Sequence, residues 1–304
     1  MTQHQAPGGS PAHTLPMSAL LLALIGAIGF SGKAIIAKLA YRYGVDAITV
    51  VMYRMLFALP LFAAMAWWGA RGRAPLSRQD AVAVVGLGIS GYYLASTLDF
   101  MGLQYISASL ERLILYLNPT LVLLLNWLLF KRRARPVQLL CMVLSYGGVA
   151  LVFGHEWAHV GDHALLGGAL VFGSAVSYAL YLVYAAEVVG RIGSMRLTGL
   201  ASILACVLCI GQFLVLRPLS AADVPTPVLW LSLVNSVFCT VIPVLLTMMA
   251  MARLGSTVSA QVGMVGPMST VLMGIVLLGE PFTVWVAAGT ALVLGGVGLL
   301  LRAR

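Results

Sequence analysis

Five ionisable side chains stand inside otherwise apolar stretches: Lys33, Arg54, Asp99, Glu111 and Arg112. A charge in hydrocarbon is costly, so those that are kept pair with one another, bind a ligand or carry an ion. Three cations against two anions leave one positive charge over, which suits a carboxylate on a small-molecule substrate. Asp99 and Glu111 are the groups that could carry a coupling proton. The competing reading makes all five structural bridges, or lets Lys33 snorkel to the membrane surface. The pairing favoured at this level is Arg112 with Asp99 and Arg54 with Glu111. Polar neighbours at helical spacing extend the surface: Tyr92 and Ser96 with Asp99, Asn118 with Glu111, Tyr116 with Arg112, and the stripe Tyr178, Tyr181, Tyr184. Tyrosine can line a cavity with its ring and hydrogen-bond at its tip. Pro119 and Pro267 each remove a backbone donor inside an apolar run and are candidate hinges.

Other chemistries lack their parts. All five histidines lie outside the apolar runs, and there is no HExxH or phosphate-binding loop. His155, His159 and His163, with Glu156 and Asp162 nearby, read as a solvated loop rather than a metal site. Cys206 and Cys209 form a CxxC at helical spacing, which in lipid reads as two small buried side chains. No metal and no cofactor are expected, and enzymatic activity is not.

These residues are carried by a chain of 304 residues that is 61% hydrophobic and only 9% charged, with mean hydropathy +0.99. A soluble domain carries about 25% charged residues, so this chain could not wet its own surface. The net charge of +9 is scattered between apolar runs rather than gathered on one face, which argues against a nucleic-acid partner. What remains is a polytopic membrane protein in contact with lipid. Ten continuously apolar runs are long enough to cross as helices, at 17–40, 46–69, 81–104, 106–130, 136–153, 164–187, 197–216, 227–251, 256–278 and 282–301. They do not alternate as barrel strands would. Residues 1–16 hold no Lys or Arg and read as a disordered tail rather than a signal peptide.

With both termini cytoplasmic, the inner connections hold Arg71, Arg73, Arg78, Lys131, Arg132, Arg133, Arg135, Arg191, Arg196, Arg253, Arg302 and Arg304, and the outer side only Lys38, Arg42 and Arg217. That is the asymmetry expected of a cytoplasmic N-terminus. The five buried charges then fall about 8–12 Å below the outer surface, on four helices, at one depth. Arginine far outnumbers lysine, which suggests a GC-rich bacterial source and hence an inner-membrane location.

Sliding the chain against itself by 148 residues sets Asn118-Pro119 on Gly266-Pro267 and Gly147-Gly148-Val149 on Gly295-Gly296-Val297. The chain therefore reads as two five-helix halves, 17–153 and 164–301. Five is odd, so the second half enters the membrane from the opposite side. Such inverted repeats belong to secondary transporters that expose a midplane site to each side in turn. At corresponding places in the second half the charges are replaced by Tyr181, Ser202, Thr247, Ser259 and Ala260.

Ser107 to Pro119, Gly255 to Pro267, the Leu278-Gly279-Glu280-Pro281 ending and Arg54 in Tyr-Arg-Met-Leu-Phe-Ala resemble the EamA family of the drug/metabolite transporter superfamily. The resemblance covers nearly the whole chain. It implies an all-α membrane protein of ten transmembrane helices in two repeats that exports small metabolites, often amino acids. Lys131-Arg132-Arg133 departs from the pattern where a Gly-Glu is common. The alternatives are a passive facilitator or channel, or a transporter of nucleotide sugars or lipid-like drugs.

Overall fold

The computed structural model describes residues 17–131, 136–160, 162–247, 249–250, 253, 262 and 265–302. The N-terminal tail read at 1–16 therefore lies outside the described residues, as do Ser259 and Ala260. Among the described residues every regular element is helical. Lipid offers no partner for a backbone amide, and a helix satisfies its own.

Among the described residues ten long helical stretches follow one another: α1 (Met17–Tyr41), α2 (Ala47–Ala70), α3 (Arg78–Leu103), α4 (Ala108–Leu129), α5 (Pro136–Val160), α6 (Asp162–Ile192), α7 (Ser194–Leu216), α8 (Thr226–Thr247), α9 (Val265–Leu278) and α10 (Val284–Arg302). The first eight each contain a stretch long and apolar enough to cross a membrane, and α9 and α10 are shorter apolar helices. Two sequence readings need correction. The fifth run is not short, because α5 continues to Val160. The loop expected between the halves is nearly absent, since α6 starts at Asp162. His155 and Glu156 consequently belong to the last turns of α5, and His163 to the first turn of α6.

Local residues set the ends. Asp46 accepts from the Ile48 and Thr49 amides at the start of α2, Ser77 from Asp80 at α3, and Ser107 from Leu110 at α4. Each removes an orphan donor of a first turn. Gly279 ends α9 at φ 73°, a left-handed conformation that glycine adopts without a Cβ clash.

The packing repeats itself. α2 packs on α7 and α5 on α10; α3 packs on α6 as α1 does on α8; α4 packs on α6 as α1 does on α9. Exchanging the first five helices with the last five maps each of these contacts onto another of them. Single residues agree. A Cβ on Gly148 would meet the Gly289 carbonyl at 2.7 Å, and one on Gly296 the Cys141 carbonyl at 2.8 Å. The 148-residue offset carries the first contact onto the second. Along this pair, stepping forward on α5 means stepping backward on α10, so the two helices are antiparallel. α2 and α7 are antiparallel by the same test, with Gly69 against Arg196 and Ala66 against Gly199. On α6 the Ser177 hydroxyl donates to the Ser90 carbonyl at 2.8 Å. Its equivalent on α1, Gly29, lies against the equivalent carbonyl, Phe238. Two of the three π-helical turns among the described residues correspond, at Gly88–Leu94 in α3 and Val237–Val241 in α8, while the third, Gly274–Leu278 in α9, has no counterpart in α4. With small residues at these crossings the backbones approach closely, which is how helices associate without a hydrophobic drive.

Candidate functional site

α1 carries Lys33 into the middle of the bundle, where α3 and α4 meet it. The π-helical turn of α3 adds a residue to the helix before Asp99 and so resets which way that side chain faces. α4 is broken: Ala108–Leu115 forms a first segment and Asn118–Phe130 a second. Pro119 stands in the first turn of the second segment, where its missing N–H costs nothing. It stands at the start of a helix rather than in the middle of one. The Asn118 side-chain amide donates to the Leu115 carbonyl at 2.6 Å and closes the break. The first segment, one short rigid piece, holds both Glu111 and Arg112.

Four of the five charges converge. The Lys33 ammonium touches the Asp99 carboxylate and lies 3.6 Å from Glu111 Oε1. Arg112 Nε is 3.9 Å from Glu111 Oε2, and its Nη2 donates to the Phe30 carbonyl at 2.9 Å. Lys33 thus bridges two carboxylates, and the pairings Arg112–Asp99 and Arg54–Glu111 are not formed. Arg112 is on the same segment as Glu111 and bends back to α1, while Arg54 packs on the Phe100 ring and makes no ion pair among the described residues. The Arg54 guanidinium lies 4.5 Å from that ring's centre on α3, and Lys33 5.7 Å.

Arg54 is the unpaired cation. It is 3% exposed, and its Nε and Nη2 find no partner among the described residues. Glu111 is fully buried, and neither carboxylate oxygen accepts a hydrogen bond; Asp99 Oδ1 and Asn118 Oδ1 are also unpartnered. Buried polar groups left unsatisfied cost free energy, and native chains keep few of them. Arg54, Asp99, Glu111 and Asn118 are four such residues close to Lys33 and Arg112.

The tyrosines form a separate group nearer the other end of α3. Tyr92 and Tyr181 meet edge to face with hydroxyls 3.1 Å apart, and Tyr178 stacks on Tyr181. Tyr184, the third of the stripe, is exposed. Tyr116 lies beside the charged layer within electrostatic reach of Arg112. Pro267 is buried in the first turns of α9, next to Gly266, whose carbonyl takes the Ser31 hydroxyl at 2.8 Å.

Sequence reasoning missed two sets of residues. Asn235 and Ser236 on α8 and Ser202 on α7 each bury an unpartnered side-chain oxygen, and the Asn235 amide donates to the Lys33 carbonyl at 3.3 Å. They are uncharged polar residues in apolar helices, so only their burial singles them out. Glu280 and Glu156 were read as motif and loop, yet both reach the start of α4. Glu280 accepts from the Ala108 amide at 2.7 Å and from the Ser109 hydroxyl at 2.8 Å. Glu156 accepts from the Ser107 amide at 3.1 Å and from its hydroxyl. Cys206 packs against Met55, with its thiol 3.7 Å from the thioether sulfur. Among the described residues no group of His, Cys, Asp and Glu is arranged to hold a metal ion.

A model of the EamA-like transporter family matches residues 17–154 and 165–302, both halves of the fold. The chain belongs to the EamA-like transporter family. It is 30% identical over 266 residues to the uncharacterized transporter YcbK of Bacillus subtilis (strain 168), covering 84% of each chain. It is 25% identical over 281 residues to an uncharacterized transporter of Archaeoglobus fulgidus, covering 92% of this chain and 96% of that one. Its fold also resembles that of a protein of known crystal structure, with a TM-score of 0.65 at 20% identity over 94% of this chain and 97% of the other. This EamA-like protein is accordingly a multi-pass membrane transporter with the family's two-repeat pattern. Its charged layer lies where the two repeats meet: Lys33, Asp99, Glu111 and Arg112 come from the first, and Asn235 supports Lys33 from the second.

Proposed function

We propose that this protein is a secondary transporter that exports small carboxylate-bearing metabolites, amino acids among them, by alternating access. In this reading all ten helices cross the bacterial inner membrane as two inverted five-helix repeats, 17–153 and 164–301, with both termini cytoplasmic. The antiparallel run of α2 with α7 and of α5 with α10, each pair related by the 148-residue offset, supports inversion. The Lys and Arg bias supports the orientation.

The observation that carries the substrate class is Arg54: a buried guanidinium with two idle nitrogens, beside a cluster whose two carboxylates are already held by Lys33 and Arg112. A guanidinium presents paired donors that match a carboxylate. A substrate carboxylate would satisfy what the chain leaves open. Asp99 and Glu111 share one ammonium, so loading or releasing a proton there rearranges Lys33; we assign them the coupling proton. Pro119 and Pro267, at equivalent places in the repeats, mark where α4 and α9 swing. Neither a cofactor nor a nucleic acid takes part.

Counterflow in proteoliposomes tests this. Vesicles preloaded with one unlabelled amino acid or carboxylic acid should accumulate the labelled form transiently above equilibrium. Equilibration without overshoot would make the protein a passive facilitator. Overshoot only with nucleotide sugars or apolar drugs would overturn the carboxylate reading.

A further inference from the structure

The start of α4 is held by two carboxylates from elsewhere in the chain. At one end of the bundle, where α1, α3, α5 and α9 finish, Glu280 reaches over from the turn between α9 and α10. One of its oxygens takes the Ala108 amide at 2.7 Å; the other takes the Ser109 amide at 3.3 Å and the Ser109 hydroxyl at 2.8 Å. Glu156 from the end of α5 holds Ser107 through both amide and hydroxyl. The Glu280 backbone is itself fixed, its amide bonding the Gly274 carbonyl at 3.0 Å after the left-handed turn at Gly279. Arg42, just past the end of α1, donates to the Leu278 carbonyl at 2.6 Å. Lys38, five residues beyond Lys33 on α1, lies within electrostatic reach of both Glu280 and Glu156. Four elements are therefore tied together at this end by charge-assisted bonds.

The piece of chain being tied is the segment Ala108–Leu115. Ser109 is two residues before Glu111 and three before Arg112, and the break at Tyr116-Leu117 frees the segment from the rest of α4. We propose that Glu280 is the closing residue of the outer mouth and the positioning residue for Glu111 and Arg112: while its carboxylate holds Ala108 and Ser109, the mouth is shut and the charged layer is assembled. Outward opening then separates Glu280 from Ser109, which moves Glu111 and Arg112 away from Lys33. One carboxylate on the second repeat thereby links the gate to the site on the first. This inference rests on the alternating-access reading above.

The chain supplies its own reporter. Cys239 is 6% exposed and lies within electrostatic reach of Lys33, Arg54 and Arg112. With Cys141, Cys206 and Cys209 replaced by alanine, reconstituted protein is labelled by a membrane-impermeant thiol reagent from each side separately. Glu280→Gln keeps the volume but turns one accepting oxygen into a donor facing Ser109. Ser109→Ala removes the same bond from the other partner with a smaller change. Losing a charge-assisted bond shifts an opening equilibrium on the order of tenfold. Both variants should raise labelling from the outer side by that factor and lower it from the inner side. A rise from both sides, the mark of a loosened fold, or no change from either side overturns the proposal. The labelling needs no substrate, so a wrong substrate class would leave it untouched, while failure of alternating access would show as labelling from one side only in every variant; that outcome overturns the inference as well.

Discussion

Arg54→Met separates a binding site from a structural bridge, because the two readings give opposite signs for stability. If Arg54 belonged to a satisfied network, removing it would leave a buried partner uncompensated and cost about 3–5 kcal/mol. The structure gives it no carboxylate partner. Its guanidinium lies over the Phe100 ring at 4.5 Å, a contact worth about 2 kcal/mol when desolvated. Against that stands the cost of holding a 3%-exposed guanidinium with two idle nitrogens, several kcal/mol for an ion out of water. Methionine has a similar reach and no charge. The variant should therefore melt at the wild-type temperature or above it, with stability unchanged or raised by about 1–3 kcal/mol. Transport should fall sharply. One charged hydrogen bond is worth about 1.5–3 kcal/mol, so losing the substrate carboxylate's anchor should raise KM by roughly ten- to a hundred-fold. Arg54→Lys keeps the charge without the fork and should fall between. Thermal melting of the purified protein and counterflow in proteoliposomes read the two quantities separately. A drop of about 3 kcal/mol or more in stability, or wild-type flux in Arg54→Met, would refute the reasoning.

Asp99→Asn and Arg112→Ala should each abolish transport while the protein still purifies as a folded monodisperse species; wild-type flux in both would remove the charged layer from the pathway. Gly148→Val should destabilise by about 1–3 kcal/mol, because its Cβ would meet the Gly289 carbonyl at 2.7 Å, whereas Gly147→Val, with nothing within 4 Å, should not; equal melting temperatures would contradict the α5–α10 crossing. Asp46, in the connection between α1 and α2, is raised by partial burial, but bonds from Thr49 and the charge of Arg217, 3.2 Å away, outweigh this and hold its carboxyl below the ordinary range. Its folded-state value is depressed, so its contribution is present above the ordinary carboxyl value of about 4 and is lost as pH falls through the lower folded value. Asp46→Ala should cost about 1 kcal/mol at neutral pH and nothing in strong acid, read as a pH-dependent gap between melting curves that closes on acidification.

The outline of the fold was written in the sequence because lipid permits so little else. A chain with 9% charged residues must place its apolar runs in helices, and the offset of 148 residues announced the duplication. The structure returns that offset in the paired contacts of Gly148 and Gly296. What periodicity could not give was where helices break. The break at Tyr116-Leu117 depends on Asn118 capping the Leu115 carbonyl, and the same Asn-Pro pair fits equally a kinked continuous helix. Nor could it count on the extension of α5, which carries Glu156 out of an expected loop and onto Ser107.

Which charges lie inside the helices was legible, and which of them pair was not, for a physical reason. Expense identifies the members: five charges in apolar helices are conspicuous whatever their partners. Partners depend on rotamers, and the packing of Arg54 on the Phe100 ring leaves no trace in spacing. Yet this unread detail decides the chemistry. In a pseudo-symmetric frame a fully paired layer would be inert, equally content with either side open. These five charges sit in the first repeat only, and one of the three cations, Arg54, forms no ion pair among the described residues. Glu280 reaches from the second repeat to the start of the segment that bears Glu111 and Arg112, so the two halves meet there as well.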